Sequence, residues 1–296
     1  MAGKTSAEAL PQVEQDPARM REAVRAAQSA GRRVGFVPTM GALHAGHASL
    51  VAQARDECDD VAVSIFVNPT QFAPHEDFDR YPRNLSADLA LLAEHGARWV
   101  FAPEAAAIYP PGDATRIVVG GPAQRFEGAA RPGHFDGVAT VVCRLFQIVP
   151  ADVAYFGAKD WQQTVVVRRM VRDLALPIDI VVCPTVREPD GLALSSRNAY
   201  LAPDERGRAP ALHASLARAA ELWSDGTAAD EIERQMRAVL AAHGVACDYA
   251  AVVDRDSLEP AADPRLGVVA LVAGRLGATR LIDNRLLPPR PAPDGR

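Results

Sequence analysis

The sequence predicts an α/β fold, a parallel sheet with helices on both faces, followed by a smaller α+β C-terminal domain. Three observations predict it. Up to about Cys183, short apolar β-prone runs alternate with helix-period segments, which is the pattern of a parallel sheet buried on both sides. After Pro189 two helical stretches precede three strand-like runs, a segregated order that suits an α+β domain. A chain of 296 residues is also long for one minimal domain and short for three. The boundary is placed near Thr185, giving domains over residues 1–185 and 186–296.

The elements follow in order. Met1 to about Asp16 is polar and unpatterned and Pro288 to Arg296 is proline-rich, so both ends are expected to be frayed tails. Arg33–Pro38 and Val61–Val67 are the first strands, with a helix over Ala48–Asp56 between them, a βαβ unit. Asp88–His95 is predicted as helix, Trp99–Ala102 as strand, Val138–Val149 as helix, Val153–Phe156 as strand, Gln162–Leu174 as helix and Ile178–Cys183 as strand. Asp204–Trp223 and Ala229–His243 read as helices, and Tyr249–Val253, Val268–Ala273 and Thr279–Asp283 as strands. Ligands of such a sheet bind at the C-terminal ends of its strands.

Composition narrows the function. A formal charge of -5 with no basic stripe excludes a polyanion partner, although helix N-termini and a few placed cations still bind phosphate. Cys58, Cys143, Cys183 and Cys247 are far apart and form no C-x-x-C pair, which argues against a zinc site and a disulfide framework. The N-terminus lacks the charged and apolar regions of a leader, and Arg144 interrupts the best apolar run, Val138–Val149. Neither secretion nor a membrane span is expected, and the cytoplasm is the expected location.

The chemistry-bearing segments sit at predicted strand ends. Between the first strand and the first helix lies PTMGALHAGH, residues 38–47, where backbone N–H groups and the helix dipole favour an anion. Its Gly41-x4-Gly46 outline is that of a P-loop, but His47 and Ala48 stand where lysine and Ser/Thr are required, so a Walker-type NTPase is rejected. What remains is two imidazoles, His44 and His47, flanking Gly46. Such donors stabilise charge on phosphate oxygens as pyrophosphate leaves. Either histidine alone could be a helix cap, and metal ligation lacks an evident third ligand. Asn68 and Gln71 follow the second strand and offer amide donors and acceptors for a small acid; the alternative is a plain Asn-Pro turn. Gly157-Ala158-Lys159-Asp160 and Gln163 follow a later strand and supply a cation, an acid and an amide, with Asp160 equally able to serve as an N-cap. Near the boundary, Leu194-Ser195-Ser196-Arg197 suits phosphate oxygens, or a polar linker. Two glycine-rich or polar loops, Phe126–Gly137 and Pro74–Asn84, fit either lids or connectors.

Together PTMGALHAGH, FVNPTQF, FEGAARPGHFDGVATVV, GAKDWQQ and LSSRN, in this order, resemble the pantothenate synthetase family. The resemblance runs across most of residues 33–201. It implies a Rossmann-like nucleotidyltransferase domain with a smaller lid domain, and ATP-dependent condensation of (R)-pantoate with β-alanine through a pantoyl adenylate. By motif it implies ATP contacts from Met40, Gly41, Ala42, Leu43, His44, Ala45, Gly46 and His47, with His47 as proton donor and His44 assisting the phosphates. Gly157, Ala158, Lys159, Asp160, Val186, Leu194, Ser195, Ser196 and Arg197 complete the ATP set, Lys159 neutralising the departing pyrophosphate. Gln71 and Gln163 are implied to hold pantoate, with Asn68 a further substrate contact or a support behind one. Mg2+ is implied to travel on ATP with no protein ligand assigned, and the family is usually a homodimer. Leu194 replaces a methionine common in the family, and Arg144 and Gln147 replace a lysine and an asparagine. The rivals are another HxGH nucleotidyltransferase, which would keep the nucleotide on its product, and a nucleotide-binding regulatory protein without turnover.

Overall fold

The structure, a computed structural model, describes residues 10–73, 76, 78–261 and 266–290. The chain divides into two compact units, one of Met1–Val119, Pro132–Gly157 and Val166–Cys183, the other of Gly120–Arg131, Ala158–Val165 and Pro184–Arg296.

The first unit holds six strands: β1 (Gln12–Glu14), β2 (Val34–Thr39), β3 (Asp60–Ile65), β4 (Trp99–Phe101), β5 (Val153–Gly157) and β6 (Asp179–Cys183). They form one sheet in the order β1-β4-β3-β2-β5-β6, and every pair is parallel. The helices up to this point in the chain are α1 (Pro17–Ser29), α2 (Ala45–Glu57), α3 (Leu85–Glu94), α4 (Ala105–Ile108), α5 (Glu127–Ala130), α6 (His134–Ile148) and α7 (Trp161–Asp173). β2 shows why both faces are covered. Successive strand side chains point to opposite sides, and Val37 packs in a cluster with Val51 and Ala54 of α2, while Phe36 meets Phe146 of α6 edge-on at 6.3 Å. Gly35 shares the Val37 face, where a Cβ would press on the Cys58 sulfur and the Tyr155 ring, both at 3.1 Å.

The chain leaves β2 through α2 to β3 on one side, and β5 lies on the other. Connections therefore diverge at the C-terminal ends of β2 and β5, the position where open α/β sheets bind ligands.

The second unit is built on an antiparallel sheet of β7 (Ala246–Asp254), β8 (Val268–Leu276) and β9 (Thr279–Leu287), with β8 central. Helices α8 (Pro203–Arg208), α9 (Ala211–Ser224) and α10 (Ala229–Ala242) precede it. Leu212, Leu216 and Trp223 of α9 and Ile232, Met236 and Leu240 of α10 form one core with Ala250, Val252 and Val268.

Three expectations are corrected. The stretch from Met1 to Asp16 is not frayed throughout: residues 1–9 lie outside the described residues, but Gln12–Glu14 is an edge strand on β4, and the Asp16 carboxylate caps α1 by accepting from Ala18 and Arg19 at 2.7 and 3.0 Å. The single helix expected over Asp204–Trp223 is two, because Pro210 has no N–H to continue the ladder. The C-terminal run is anchored as far as Arg290, whose guanidinium lies 3.5 Å over the Trp223 ring and donates to the carbonyls of Trp223 and Thr227; residues 291–296 lie outside the described ones.

Candidate active site

The loop after β2 is bent sharply. Gly41 and Ala42 both have left-handed backbones, φ 81° and 52°, and the second costs energy because alanine carries a Cβ. Asp88, in the first turn of α3 and 4% exposed, compensates: its carboxylate accepts from the N–H of Ala42 at 3.1 Å and of Leu43 at 2.8 Å. Burial holds the Asp88 pKa above its usual value, with the two backbone donors opposing that rise.

His44 is the N-cap of α2. Its Nδ1 accepts from the Gly46 N–H at 3.1 Å, and His47 Nδ1 accepts from the His44 N–H at a longer 3.4 Å; the rings lie 4.3 Å apart. A neutral imidazole carries one proton. With Nδ1 accepting, that proton is on Nε2 of both rings, so each offers an N–H donor rather than a metal-binding lone pair. These two donors stand at the positive end of a 13-residue helix, a pair suited to phosphate oxygens and ill suited to a metal ion.

Asn68 and Gln71 lie beyond β3. Asn68 is 1% exposed and its amide is engaged at both atoms: Nδ2 donates to Gln71 Oε1 and to the Gly137 carbonyl, both at 3.1 Å, and Oδ1 accepts from Tyr109 at 2.7 Å and Thr70 at 3.0 Å. That leaves Asn68 orienting Gln71, whose Nε2 reaches Met40 Sδ at 3.0 Å. Gln71 and the histidine loop are thus brought together in one unit. Gly137 makes room for this turn, since a Cβ there would sit 2.4 Å from the Thr70 carbonyl oxygen. Arg144, one of the two departures in α6, stacks on Tyr109 at 4.7 Å and pairs with Asp113 at 2.6 Å, holding the Asp113 carboxyl below its usual range. Gln147 contributes its carbonyl to Arg21. Arg144 thus serves local packing, whereas the Gln147 contact is made by its backbone and nothing in the structure explains the glutamine side chain.

In the second unit, Ala158–Asp160 is a 3-10 turn that follows Gly157 directly. The Lys159 ammonium lies 3.3 Å from Asp160, with its side chain only 21% exposed. The start of α7 is held by its neighbours: Trp161 Nε1 donates to the Arg255 carbonyl, and Gln162 accepts from Glu127 N–H and donates to the carbonyls of Pro122 and Arg125. Gln163 is the next residue of that turn. Val186 and Leu194 close a hairpin, Leu194 N–H donating to the Val186 carbonyl at 3.0 Å. Ser195 caps the 3-10 helix Ser196–Tyr200, its hydroxyl oxygen accepting from Arg197 N–H at 3.3 Å.

Of the loop Phe126–Gly137, residues up to Arg131 belong to the second unit and Pro132–Gly137 to the first. In its first part Glu127 receives both Arg280 nitrogens at 2.6 Å and the Tyr249 hydroxyl at 2.9 Å, which anchors the loop. Burial, with Glu127 beside it, raises the Tyr249 pKa and keeps the hydroxyl a donor. In the other loop, Pro74, His75 and Asp77 lie outside the described residues; Phe72 packs against Phe78 and Tyr81, and Asn84 caps α3. Sequence reasoning missed Asp88, Tyr109, Gln162 and Asn284. Only Gln162, inside a motif already singled out, carried a signal.

Residues 12–286 match the family model described as pantoate-beta-alanine ligase. The pantothenate synthetase of Acidiphilium cryptum is 53% identical over 266 residues, 90% of this chain and 96% of that one; that of Chloroflexus aurantiacus is 54% identical over 89% and 95%. Among solved structures, the pantothenate synthetase of Thermus thermophilus superposes with a TM-score of 0.88 at 49% identity, covering 93% of this chain and 98% of that chain. The pantoate-beta-alanine ligase of Francisella tularensis, complexed with beta-gamma ATP and beta-alanine, gives 0.76 at 34% identity, covering 93% and 97%.

Proposed function

We propose, from the premise that the chain belongs to the pantoate-beta-alanine ligase family, that it joins (R)-pantoate to β-alanine in two steps on one ATP. A pantoate carboxylate oxygen attacks the α-phosphorus, pyrophosphate leaves, and pantoyl adenylate forms. The β-alanine amine then attacks the acyl carbon, the C–O bond to phosphate breaks, AMP leaves, and the amine proton is lost to give pantothenate. Adenylation is needed because a carboxylate is a poor acyl donor, and holding the reactants together removes an entropic barrier.

The observation that carries this reading is the His44/His47 pair at the α2 N-terminus, each ring turned so that its Nδ1 accepts from the backbone. In the proposal His47 donates to the reacting phosphate and His44 assists, while the backbone of Met40–Gly46 wraps the nucleotide. Lys159 offsets charge on pyrophosphate, Gly157, Ala158, Asp160, Val186, Leu194, Ser195, Ser196 and Arg197 complete the nucleotide contacts, and Gln71 and Gln163 hold pantoate, with Asn68 behind Gln71. Mg2+ enters on the triphosphate, where a hard cation finds oxygen ligands. The proposal also takes the enzyme to be a cytoplasmic homodimer; no helix among the described residues is long and apolar enough to cross a membrane.

Product analysis with Mg-ATP, (R)-pantoate and β-alanine, each omitted in turn, tests it. Equal yields of AMP, pyrophosphate and amide are expected. A nucleotide retained on the product would place the chain with other HxGH transferases, and no turnover would favour the regulatory reading.

A further inference from the structure

β9 carries two adjacent buried polar residues, Asp283 at 4% exposure and Asn284 at 7%. Such groups persist in a strand only when their hydrogen bonds are met. Asp283 receives Arg187 bidentately, Nη1 at 2.7 Å and Nη2 at 2.9 Å, and also the Asn284 backbone N–H at 2.8 Å. Arg187 in turn donates to the Gly191 carbonyl at 3.0 Å, which ties it across the hairpin closed by Val186 and Leu194. Asn284 faces a different segment: its Nδ2 donates to the carbonyls of Ala158 at 2.8 Å and Lys159 at 2.7 Å. One amide nitrogen has two hydrogens, so a single side chain bridges both carbonyls of the Lys159 turn.

We propose that Asn284 is a positioning residue for the adenylation step. It fixes the backbone beneath Lys159, while Asp283, through Arg187, fixes the Val186–Leu194 hairpin, so one dipeptide sets two nucleotide-contacting segments against each other. The inference rests on the reading that Lys159 and this hairpin contact ATP. The physical argument is leverage. A lysine ammonium sits on a flexible four-carbon stem, so its average place is set by where its backbone is held, and a displacement of about 1 Å at a charge-stabilising group costs up to ~100-fold in rate.

A double-mutant cycle tests it. Single-turnover pyrophosphate release is measured for the wild-type chain, Asn284→Ala, Lys159→Ala and the double variant, with folding checked by circular dichroism. Asn284→Ala is expected to slow adenylation ~10- to 100-fold, with the loss in kcat and little change in the pantoate KM. In the Lys159→Ala background the same change is expected to cost less than ~3-fold, because residues acting as one unit are not additive. Should Asn284→Ala fail to fold, Asn284→Asp replaces it in the cycle, keeping the volume while setting an oxygen against two carbonyls. Equal losses in both backgrounds, or no loss in the first, would overturn the inference. An active wild type whose Lys159→Ala variant is unimpaired would remove the Lys159 role and the inference with it, whereas a wild type that releases no pyrophosphate counts against the ligase reading itself.

Discussion

Gly137 is where α6 touches the turn that carries Asn68 and Gln71, and replacing it with alanine gives a perturbation whose size can be worked out. An added Cβ would lie 2.4 Å from the Thr70 carbonyl oxygen, 2.6 Å from its carbon and 2.8 Å from Gln71 Cα. Comfortable contact begins near ~3.5 Å, so the helix and the turn must part by about 1 Å. All three obstacles are backbone, so no side chain can rotate away. The separation also stretches the 3.1 Å bond from Asn68 Nδ2 to the Gly137 carbonyl. Overpacking costs ~1–3 kcal/mol and a weakened buried hydrogen bond adds ~1 kcal/mol. At ~2–4 °C per kcal/mol for a chain of this size, Tm should fall by roughly 4–16 °C.

The functional effect is distinct from the loss of stability. Asn68 orients Gln71 through its other amide hydrogen, so moving the turn displaces the side chain proposed to hold pantoate. The pantoate KM should rise about 10- to 100-fold for a ~1 Å shift, measured well below the new Tm. Gly207→Ala is the control, because nothing lies within 4 Å of the point where its Cβ would stand and it sits in a helix; it should leave KM unchanged and raise stability slightly. A Gly137→Ala protein with wild-type Tm and wild-type pantoate KM would refute the reasoning.

Two further outcomes are expected. His47→Asn should lose ~100- to 10,000-fold in adenylation while remaining folded by circular dichroism; His47→Gln, whose amide nitrogen reaches toward the Nε2 position, should recover part of that loss, and equal activity of the two variants would count against Nε2–H as the donor. Asp88→Asn turns an N–H donor toward one of the two loop N–H groups and should cost ~1–3 kcal/mol at neutral pH by urea unfolding. Because burial raises the Asp88 pKa above 3.8, its ionisation opposes folding, so the wild-type advantage over the Asn variant should shrink as pH rises from below that value through the raised pKa; an advantage that grows over this range would contradict burial as the cause.

The parallel sheet was legible because its central strands are buried on both faces. Val61, Ala62 and Val63 are all fully buried, and such runs stand out in composition without any periodicity. The start of α1 was also in the sequence, as Asp16-Pro17 ahead of Met20, Val24 and Ala27, an N-cap, a first-turn proline and one buried stripe; the polar, alanine-rich surroundings hid it. β1 was not recoverable, since three residues pair with β4 only through the tertiary fold. The same distinction holds at the candidate site. His44, Gln71 and Lys159 each follow an apolar run, so their places at strand ends could be read locally. Asp88 supports a loop 45 residues away, and Asn284 supports one 125 residues away. Neither lies in a pattern that local spacing could reveal.

For the histidine pair, helix cap and ligand contact, the two readings open in the sequence, do not exclude each other. A side chain with one polar atom must spend it either on the backbone or on a ligand. Imidazole has two, on opposite sides of the ring. Here Nδ1 of each ring accepts from the backbone at the α2 N-terminus, and that use fixes both the ring orientation and the tautomer. In the proposed reaction, capping prepares the ring: with Nδ1 held by the backbone, the proton of a neutral imidazole lies on Nε2. Asp88 extends the arrangement one step outward, holding the left-handed Gly41-Ala42 bend from which His44 enters the helix. Strain in that bend, offset by a buried carboxylate, is the local cost of presenting two N–H donors at the positive end of α2.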